Sequence, residues 1–577
     1  MDDREIQSGT LRCDLLVIGS GAPGLAAAVT AAHLGLDVVV AEKTDAVGGT
    51  SAWSGGWLWI PRNPLALAAG QDEDPAVVRG YLRRELGSCY DEAVIETFLE
   101  QGPKMVSFFE KETSLQFING TVLPDFHGKV EGAALGGRAV CAAPYDGRNL
   151  GRDIALLRPP LDLVSPFGMG IASGADMAHF FNALRRWPSF LHVTRRVSRH
   201  MLDIVLHGRG MQLVNGNALV ARLLRSALDL GVRVMTSAPA RDLIVTDGAV
   251  RGARVATPAG TVEIRAGRGV VLAAGGFPHD ERRRAELFPH APTGREHWSA
   301  APKTNTGDGL RLGESAGGIV RRDLKAAGGW IPVSLVPRAD GTFGHHPHLV
   351  ERAKPGLIMV RADGNRFCNE ADSYHDVMLA LFAATPPGEK AEAWLVCDHR
   401  FLRRYGLGRA RPRPFPVSPW LRNGYLKKGR TLAELAAACG IEPAGLERTV
   451  ERFNGFARTG QDADFGRGET PFNRGMGEAG HAPNPSLGAL EAAPFYAVKV
   501  VPGSLSTFAG LRTDERARVL DAELKPVRGL YAVGNDMSSI AGGNYPSGGF
   551  TLGPGMTFGY VAAHEAAGVP LDNNRSA

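Results

Sequence analysis

The chain has 577 residues, 44% of them hydrophobic and 22% charged, which excludes a mainly disordered protein and leaves room for a large core and more than one domain. A net charge of +5 is small for this length, and the basic residues are scattered except in RRYGLGRARPR at 403–413, so no nucleic-acid partner is expected. No apolar run reaches the roughly 18 residues of a membrane span.

The chain begins MDDREIQSGTLRCD, a polar stretch without the apolar core of a secretory signal. The six cysteines (Cys13, Cys89, Cys141, Cys368, Cys397, Cys439) show no metal-ligand spacing. The expectation is a reduced, cytoplasmic protein without a metal site.

Residues 13–56 carry the densest information. Leu15–Ile18 is a short apolar run bounded by glycine, as a buried parallel strand should be. Gly19, Gly21 and Gly24 form GxGxxG: the first allows a tight turn, the second a close approach to a pyrophosphate, the third close helix–strand packing. An Ala- and Leu-rich helix follows, with its N-terminal N–H groups available to phosphates. A second strand, Asp37–Ala41, ends at Glu42, about where the fingerprint places a carboxylate for a ribose hydroxyl. A dinucleotide is the expected ligand.

Further along, 75–120 reads as largely helical and 121–210 as irregular, with a helical stretch in DMAHFFNALRR. A helix beginning at GNALVARLL precedes a short strand, Arg233–Thr236, and a hairpin turning at Asp247–Gly248. Gly269–Phe277 (GVVLAAGGF) is another buried strand ending in small residues. Residues 281–490, with fewer strand-like runs and a glycine-rich stretch at 460–488, read as an inserted second domain. From 491 the β pattern returns in FYAVKVVPG and GLYAVGND, which predicts that the C-terminal strands close the sheet opened by residues 13–56. The expected fold is α/β: a Rossmann-like dinucleotide-binding domain (1–280 and 491–577) with an inserted α+β substrate domain (281–490).

Four features favour FAD over NAD. GGTSAWSGG (48–56) supplies a second glycine cluster directly after the acid, and GVVLAAGGF a second close backbone approach. GLYAVGND ends in Gly534–Asn535–Asp536, suited to ribityl hydroxyls or phosphate. TLGPGMTFGYVAAHEAA is a turn and helix whose N-terminal dipole suits the pyrimidine edge of a flavin.

With these motifs in order, the chain resembles the FAD-dependent 3-ketosteroid dehydrogenases, within the fumarate reductase–succinate dehydrogenase flavoprotein superfamily. The resemblance runs over nearly the whole chain, through GGTSAWSGGWLWIPRN, PFYAVKVVPG, GLYAVGN and NYPSGGFTLGPGMTFGYVAA. It implies FAD contacts at Gly19, Gly21, Ala22, Gly24, Glu42, Lys43, Gly49, Thr50, Ser51, Gly55, Gly56, Ala274, Gly275, Asp308, Gly534, Asn535 and Leu552. FAD should be non-covalent, because Ser51, Ala52 and Trp53 stand where covalent relatives carry a histidine. Fumarate reductases have a histidine in the segment matching 503–514 and an arginine three residues before the glycine of GLIMV. Here 503–514 has no histidine, that position is Ala353, and Arg352 lies one place off.

The resemblance also implies the chemistry. Tyr374, in NEADSYHDV, matches the family's base for the proton α to the ketone. The Tyr545 hydroxyl and Gly549 N–H match the groups that polarise the ketone. Phe126, in PDFHG, stands in the substrate pocket where Δ1-dehydrogenases often carry a tyrosine, and His127 or His375 could substitute for it. The implied partners are a steroid or cyclic ketone, desaturated at Δ1 or Δ4, and a diffusible electron acceptor such as a quinone. Two alternatives stand beside this reading: a flavin-dependent reductase of another activated C=C bond, and a non-catalytic flavin-binding protein.

Overall fold

A computed structural model of the chain describes residues 9–571. The first sheet runs in the order Arg518–Leu520, Pro526–Ala532, Gly260–Leu272, Thr10–Ile18, Val38–Ala41 and Arg233–Met235, with Ala240–Thr246 and Ala249–Thr257 added through Gly260–Leu272. Five of these strands run parallel, from Pro526–Ala532 through to Arg233–Met235. Leu15–Ile18, Val38–Ala41 and Val270–Leu272 are Val, Leu, Ile and Ala with near-zero exposure, as strands covered on both faces require. The hairpin turns at Asp247 (φ 51°) and Gly248 (φ 66°), two positive-φ residues as a tight I′-type turn needs, and pairs Thr246 with Ala249.

The register has one functional consequence. Ile18 pairs with Ala41 on one side and Leu272 on the other, and Leu272 pairs with Ala532. Four strands therefore end level, and their four following loops emerge on one edge. The helix Ala22–His33 lies against the sheet and packs on the C-terminal helix Leu552–Ala567. Gly559 permits that approach: a Cβ there would stand 2.5 Å from the Pro23 carbonyl oxygen.

The second sheet contains Phe343–Pro347, Gly328–Pro337, Phe495–Thr507, Ala393–Cys397 and Leu357–Val360, with Leu426–Gly429 also on Phe495–Thr507. Two expectations change here. The 281–490 stretch holds five of these six strands, so it is not strand-poor. FYAVKVVPG does not return to the nucleotide sheet. It is the central strand of the second one, pairing Val501 with Val333, Val500 with Ala393 and Val498 with Leu426. Apolar composition marks a buried strand but carries no information about which sheet buries it. The boundary drawn at 490 therefore cuts a strand from its own sheet, whereas GLYAVGND does join the first sheet as expected. In the 121–210 stretch, expected to be irregular, the helix Trp187–His207 runs for 21 residues.

A buried ionic cluster holds the second domain's strand Leu357–Val360 to the segment that leads into Tyr374. Arg366 makes two bonds to Glu370 (both 2.8 Å) and two to Asp462, and Arg467 adds a third bond to Glu370 at 2.9 Å. Glu370 also accepts the Met359 N–H. Burial alone would raise the Glu370 pKa, but Arg366 and Arg467 outweigh it and hold the carboxyl at about 2. Removing the acid from two fully buried guanidinium groups should cost about 3–5 kcal/mol. Glu370→Ala is expected to lower the denaturation midpoint accordingly in equilibrium unfolding. Because the folded value lies below the unfolded ~4.3, the wild-type contribution should be complete above pH ~4.3 and fade as pH falls toward about 2.

Candidate active site

The level strand ends bring the predicted motifs together. Gly19 has φ +107°, and a Cβ there would lie 2.2 Å from the Ala273 carbonyl oxygen, so only glycine lets these two loops touch. Gly24 works behind them: its Cβ would meet the Gly19 oxygen at 2.3 Å. Glu42 is buried and accepts from Ser20 N–H (3.1 Å) and Oγ, and from Thr44 N–H and Oγ (both 2.9 Å). Ser51 Oγ accepts the Ala22 N–H at 3.0 Å, tying the second glycine cluster to the helix start. Asp536 accepts the N–H groups of Ala274 and Gly276, locking the third loop to the fourth. Its burial raises the carboxyl to about 6.

These loops form one half of a cavity of about 1300 Å³. Its wall includes Gly19, Gly21, Glu42, Lys43, Gly49, Thr50, Ser51, Gly55, Gly56, Ala274, Gly275, Asp308, Gly534, Asn535 and Leu552. Ala22 and Gly24 lie behind the wall, where they shape it. Lys43 and Asp308 pair with each other at 2.7 Å on its lip. At Gly49 (φ +49°) nothing lies within 4 Å of the point where a Cβ would stand, so the backbone itself faces open space. A wall of glycine backbone and small side chains fits a flat dinucleotide.

The other half is aromatic. Tyr374 is the first residue of the helix Tyr374–Ala384, started by Ser373, whose Oγ accepts the Asp376 N–H. Tyr545 and Gly549 sit in the loop before Leu552–Ala567, and Phe126 in the loop after Phe117–Asn119. Thus three separate segments meet. The Phe126 ring lies 5.8 Å from Tyr374 and 5.7 Å from Tyr545, and its N–H donates to the Pro546 oxygen. The Tyr374 and Tyr545 rings lie 5.5 Å apart, and Thr551 Oγ1 lies 3.1 Å from the Tyr545 hydroxyl. Burial, then Tyr545, pushes the Tyr374 hydroxyl well above the ordinary tyrosine value. Burial raises Tyr545 too, against the neighbouring Thr551 and Tyr374 hydroxyls, which lower it. The Gly549 N–H has no protein acceptor among the described residues.

A family model described as an FAD binding domain matches residues 14–552. The chain is 39% identical to the 4-oxocyclohex-2-ene-1-carboxylate 5-dehydrogenase of Sinomonas cyclohexanicum, over 97% of this chain and 95% of that one. It is 38% identical to the 3-oxosteroid 1-dehydrogenase of Mycolicibacterium smegmatis, over 96% and 97%. A crystal structure of 3-ketosteroid Δ1-dehydrogenase from Sterolibacterium denitrificans, in complex with 1,4-androstadiene-3,17-dione, superposes with a TM-score of 0.89 at 34% identity, covering 97% of this chain and all of that one. The chain belongs to the FAD-dependent 3-ketosteroid dehydrogenase family. FAD is its cofactor, and it is an oxidoreductase of the type acting on CH–CH donors, which sets aside a non-catalytic flavin-binding protein.

Within this dehydrogenase neither histidine next to the aromatic residues is on the cavity wall. His127 bridges Glu85 (2.7 Å) and Asp376 (2.8 Å) through both ring nitrogens. Burial would lower its pKa, but the two carboxylates outweigh that and raise it to about 10, so it is a charged clamp on the Tyr374 helix. His375 accepts the Trp330 N–H, and burial lowers it to about 4. Arg352 is buried, bonding the carbonyl oxygens of His348, Glu370 and Asp372. One His/Glu group, His346, His348 and Glu351, lies off the cavity wall, with both His348 nitrogens used by Glu351 and Ser334.

Other wall residues lie outside these motifs. Asn305 bonds Thr50 Oγ1 and the Gly275 oxygen, and Phe472, Met476, Leu505, Lys354 and Arg404 line the far end. None carries a motif; only long-range folding delivers them. Glu42 anchors two loops of the nucleotide half, so Glu42→Ala should weaken FAD binding about ten- to a hundredfold, the worth of one or two charge-assisted hydrogen bonds. Equilibrium titration of apoprotein with FAD measures this.

Proposed function

We propose that the protein dehydrogenates a cyclic 3-ketone of the steroid type, forming a C=C bond conjugated with the carbonyl at Δ1 or Δ4. What carries this reading is the convergence of Tyr374, Tyr545 and Gly549, from two distant segments, on one apolar end of the cavity. Tyr545 Oη and Gly549 N–H donate to the ketone oxygen as negative charge builds there, with Thr551 orienting the Tyr545 hydroxyl. Tyr374 Oη accepts the proton from the carbon α to the ketone. FAD, when bound non-covalently along the glycine-lined half, supplies the acceptor for the hydride leaving the β carbon. Phe126 packs on the substrate ring without donating a hydrogen bond. The chain has a single dinucleotide fingerprint, so electrons leave to a diffusible acceptor such as a quinone.

A second substrate reading has its own support. Lys354, lowered to about 8 by burial, and Arg404 line the far end of the cavity, where a ring carboxylate could end. Both are already engaged, however: Lys354 with the oxygens of Met476 and Gly477, Arg404 with Glu478. That engagement favours a neutral, apolar ring system. A reductase acting on another activated C=C bond has no comparable support, because Arg352 is spent on backbone carbonyls.

The test is anaerobic mixing of holoenzyme with 4-androstene-3,17-dione, 5α-androstane-3,17-dione or 4-oxocyclohexanecarboxylate, following loss of the flavin band at about 450 nm. Bleaching by a steroid is expected, about 10²–10³-fold slower in Tyr545→Phe. Bleaching only by the carboxylate would move the substrate to small oxo acids, and no bleaching by any of them would overturn the reading. A base whose pKa is raised must lose its proton before it acts, so the bleaching rate should climb with pH through the ordinary tyrosine value of ~10 without an earlier plateau. Tyr374→Phe should abolish that rise.

A further inference from the structure

Behind the cavity wall lies a group of metal-ligating side chains that the proposed chemistry does not use. The strand Phe343–Pro347 pairs His346 with Ser334, and the ladder runs on through the His348 N–H, which donates to the Pro332 oxygen at 2.9 Å. Residues two apart on an extended chain share a face, and the His346 and His348 rings lie 5.2 Å apart. Between and after them Pro347, Leu349 and Val350 line the cavity. Glu351 opens the short 3₁₀ turn Glu351–Ala353, and its Oε1 lies 2.6 Å from His348 Nδ1. One ring nitrogen of each histidine and one Glu351 oxygen lie within 4.8 Å of one another.

A second observation points to a ligand. His346 is only 7% exposed, yet its Nδ1 has no hydrogen-bond partner among the described residues. A buried nitrogen left unpaired is costly unless something takes its lone pair. Burial pushes the ring down to about 3, so it is neutral and one nitrogen keeps its lone pair. His348 is held from its far side. Its Nε2 lies 2.8 Å from Ser334 Oγ, which lies 2.7 Å from the Tyr425 hydroxyl, and that hydroxyl accepts the Arg409 N–H at 3.0 Å. Donors passed along this chain end at Nε2, which leaves the His348 proton on Nδ1, against Glu351. An imidazole oriented through its second nitrogen is the arrangement that outer partners give a metal ligand. Two imidazoles and a carboxylate suit Zn²⁺, and bonds of about 2.0–2.2 Å set the ligands of a tetrahedral ion about 3.3–3.5 Å apart, so small side-chain rotations close the group. Glu351 is its partly exposed member, at 15%, which leaves a fourth position to water.

We propose that His346, His348 and Glu351 bind one divalent cation of the zinc type, with water as its fourth ligand. The ion takes the place of the proton between His348 Nδ1 and Glu351, and that proton is released on binding. It pins the end of the strand to the 3₁₀ turn and so braces the wall residues between them. Leu349, one of these, packs on the same apolar cluster as Tyr374. The role is structural and does not depend on the substrate.

The test is incubation of holoenzyme with Zn²⁺, gel filtration, and elemental analysis for zinc alongside flavin. One zinc per chain is expected, with a thermal midpoint that rises with Zn²⁺ and returns on adding a chelator. Titration in weak buffer should release about one proton per ion. Glu351→Gln, which keeps the side-chain shape but not the charge, should weaken Zn²⁺ binding about a hundredfold. Ser334→Ala, which only frees the far side of the His348 ring, should weaken it about ten- to a hundredfold. Unchanged flavin absorbance shows that each variant is folded. Co²⁺ in place of Zn²⁺ should add the visible absorption of a four-coordinate ion, to the red of the flavin band. Holoenzyme that retains no zinc would overturn the proposal, and so would zinc held equally by both variants, which would be an adventitious ion only.

Discussion

Four parallel strands end level, at Ile18, Ala41, Leu272 and Ala532, and this register is the constraint that the site depends on. Level ends put four loops within contact distance of one another. Contact at that range leaves no room for side chains, hence glycine at 19 and 24. It also leaves backbone N–H groups in need of acceptors, and two buried carboxylates answer that need. Glu42 takes the Ser20 and Thr44 donors and Asp536 those of Ala274 and Gly276. The wall that results is backbone rather than side chain, which suits a dinucleotide lying flat.

The central strand of the second domain's sheet also reaches this wall. Phe495–Thr507 is the centre of the second sheet, yet its last residues border the cavity, and a Cβ on Gly276 would collide with Thr507 Oγ1 at 2.1 Å. Substrate and cofactor surfaces are thereby held by one continuous element. Tyr374 depends on a second tie. The Arg366–Glu370–Arg467 cluster fixes the segment just before it, and charged His127 clamps the first turn of its helix through Asp376. Ionic interactions buried in this way add little net stability. Here they set the position of a tyrosine in an apolar pocket.

The same low-polarity pocket sets the acid–base problem. On the proposed function, the apolar cluster of Phe126, Tyr374, Tyr545 and Phe472 would strengthen a hydrogen bond to a developing enolate. It also disfavours tyrosinate, so on that reading the environment that would help polarise a ketone would make proton removal harder. Family members with a tyrosine at the position of Phe126 would have one more hydroxyl in this pocket; here a phenyl ring fills the space.

Local sequence determined the nucleotide half nearly residue by residue. GxGxxG, the acid after the second strand, the second glycine cluster and the GLYAVGND strand each have a local steric or hydrogen-bonding cause, so each is legible in the chain itself. Tyr374, Tyr545 and Gly549 were reached through family motifs, and their convergence needed the fold, because nothing local links residues 374 and 545. Tertiary structure alone decided three things. FYAVKVVPG went to the second sheet, because apolar composition says that a strand is buried but not against what. His127 became a clamp, because its carboxylates come from residues 85 and 376. The helix Trp187–His207 turned its polar stripe inward, because partners for that stripe, such as Arg148 and the oxygens of Phe167 and Gly170, exist only once the chain has folded.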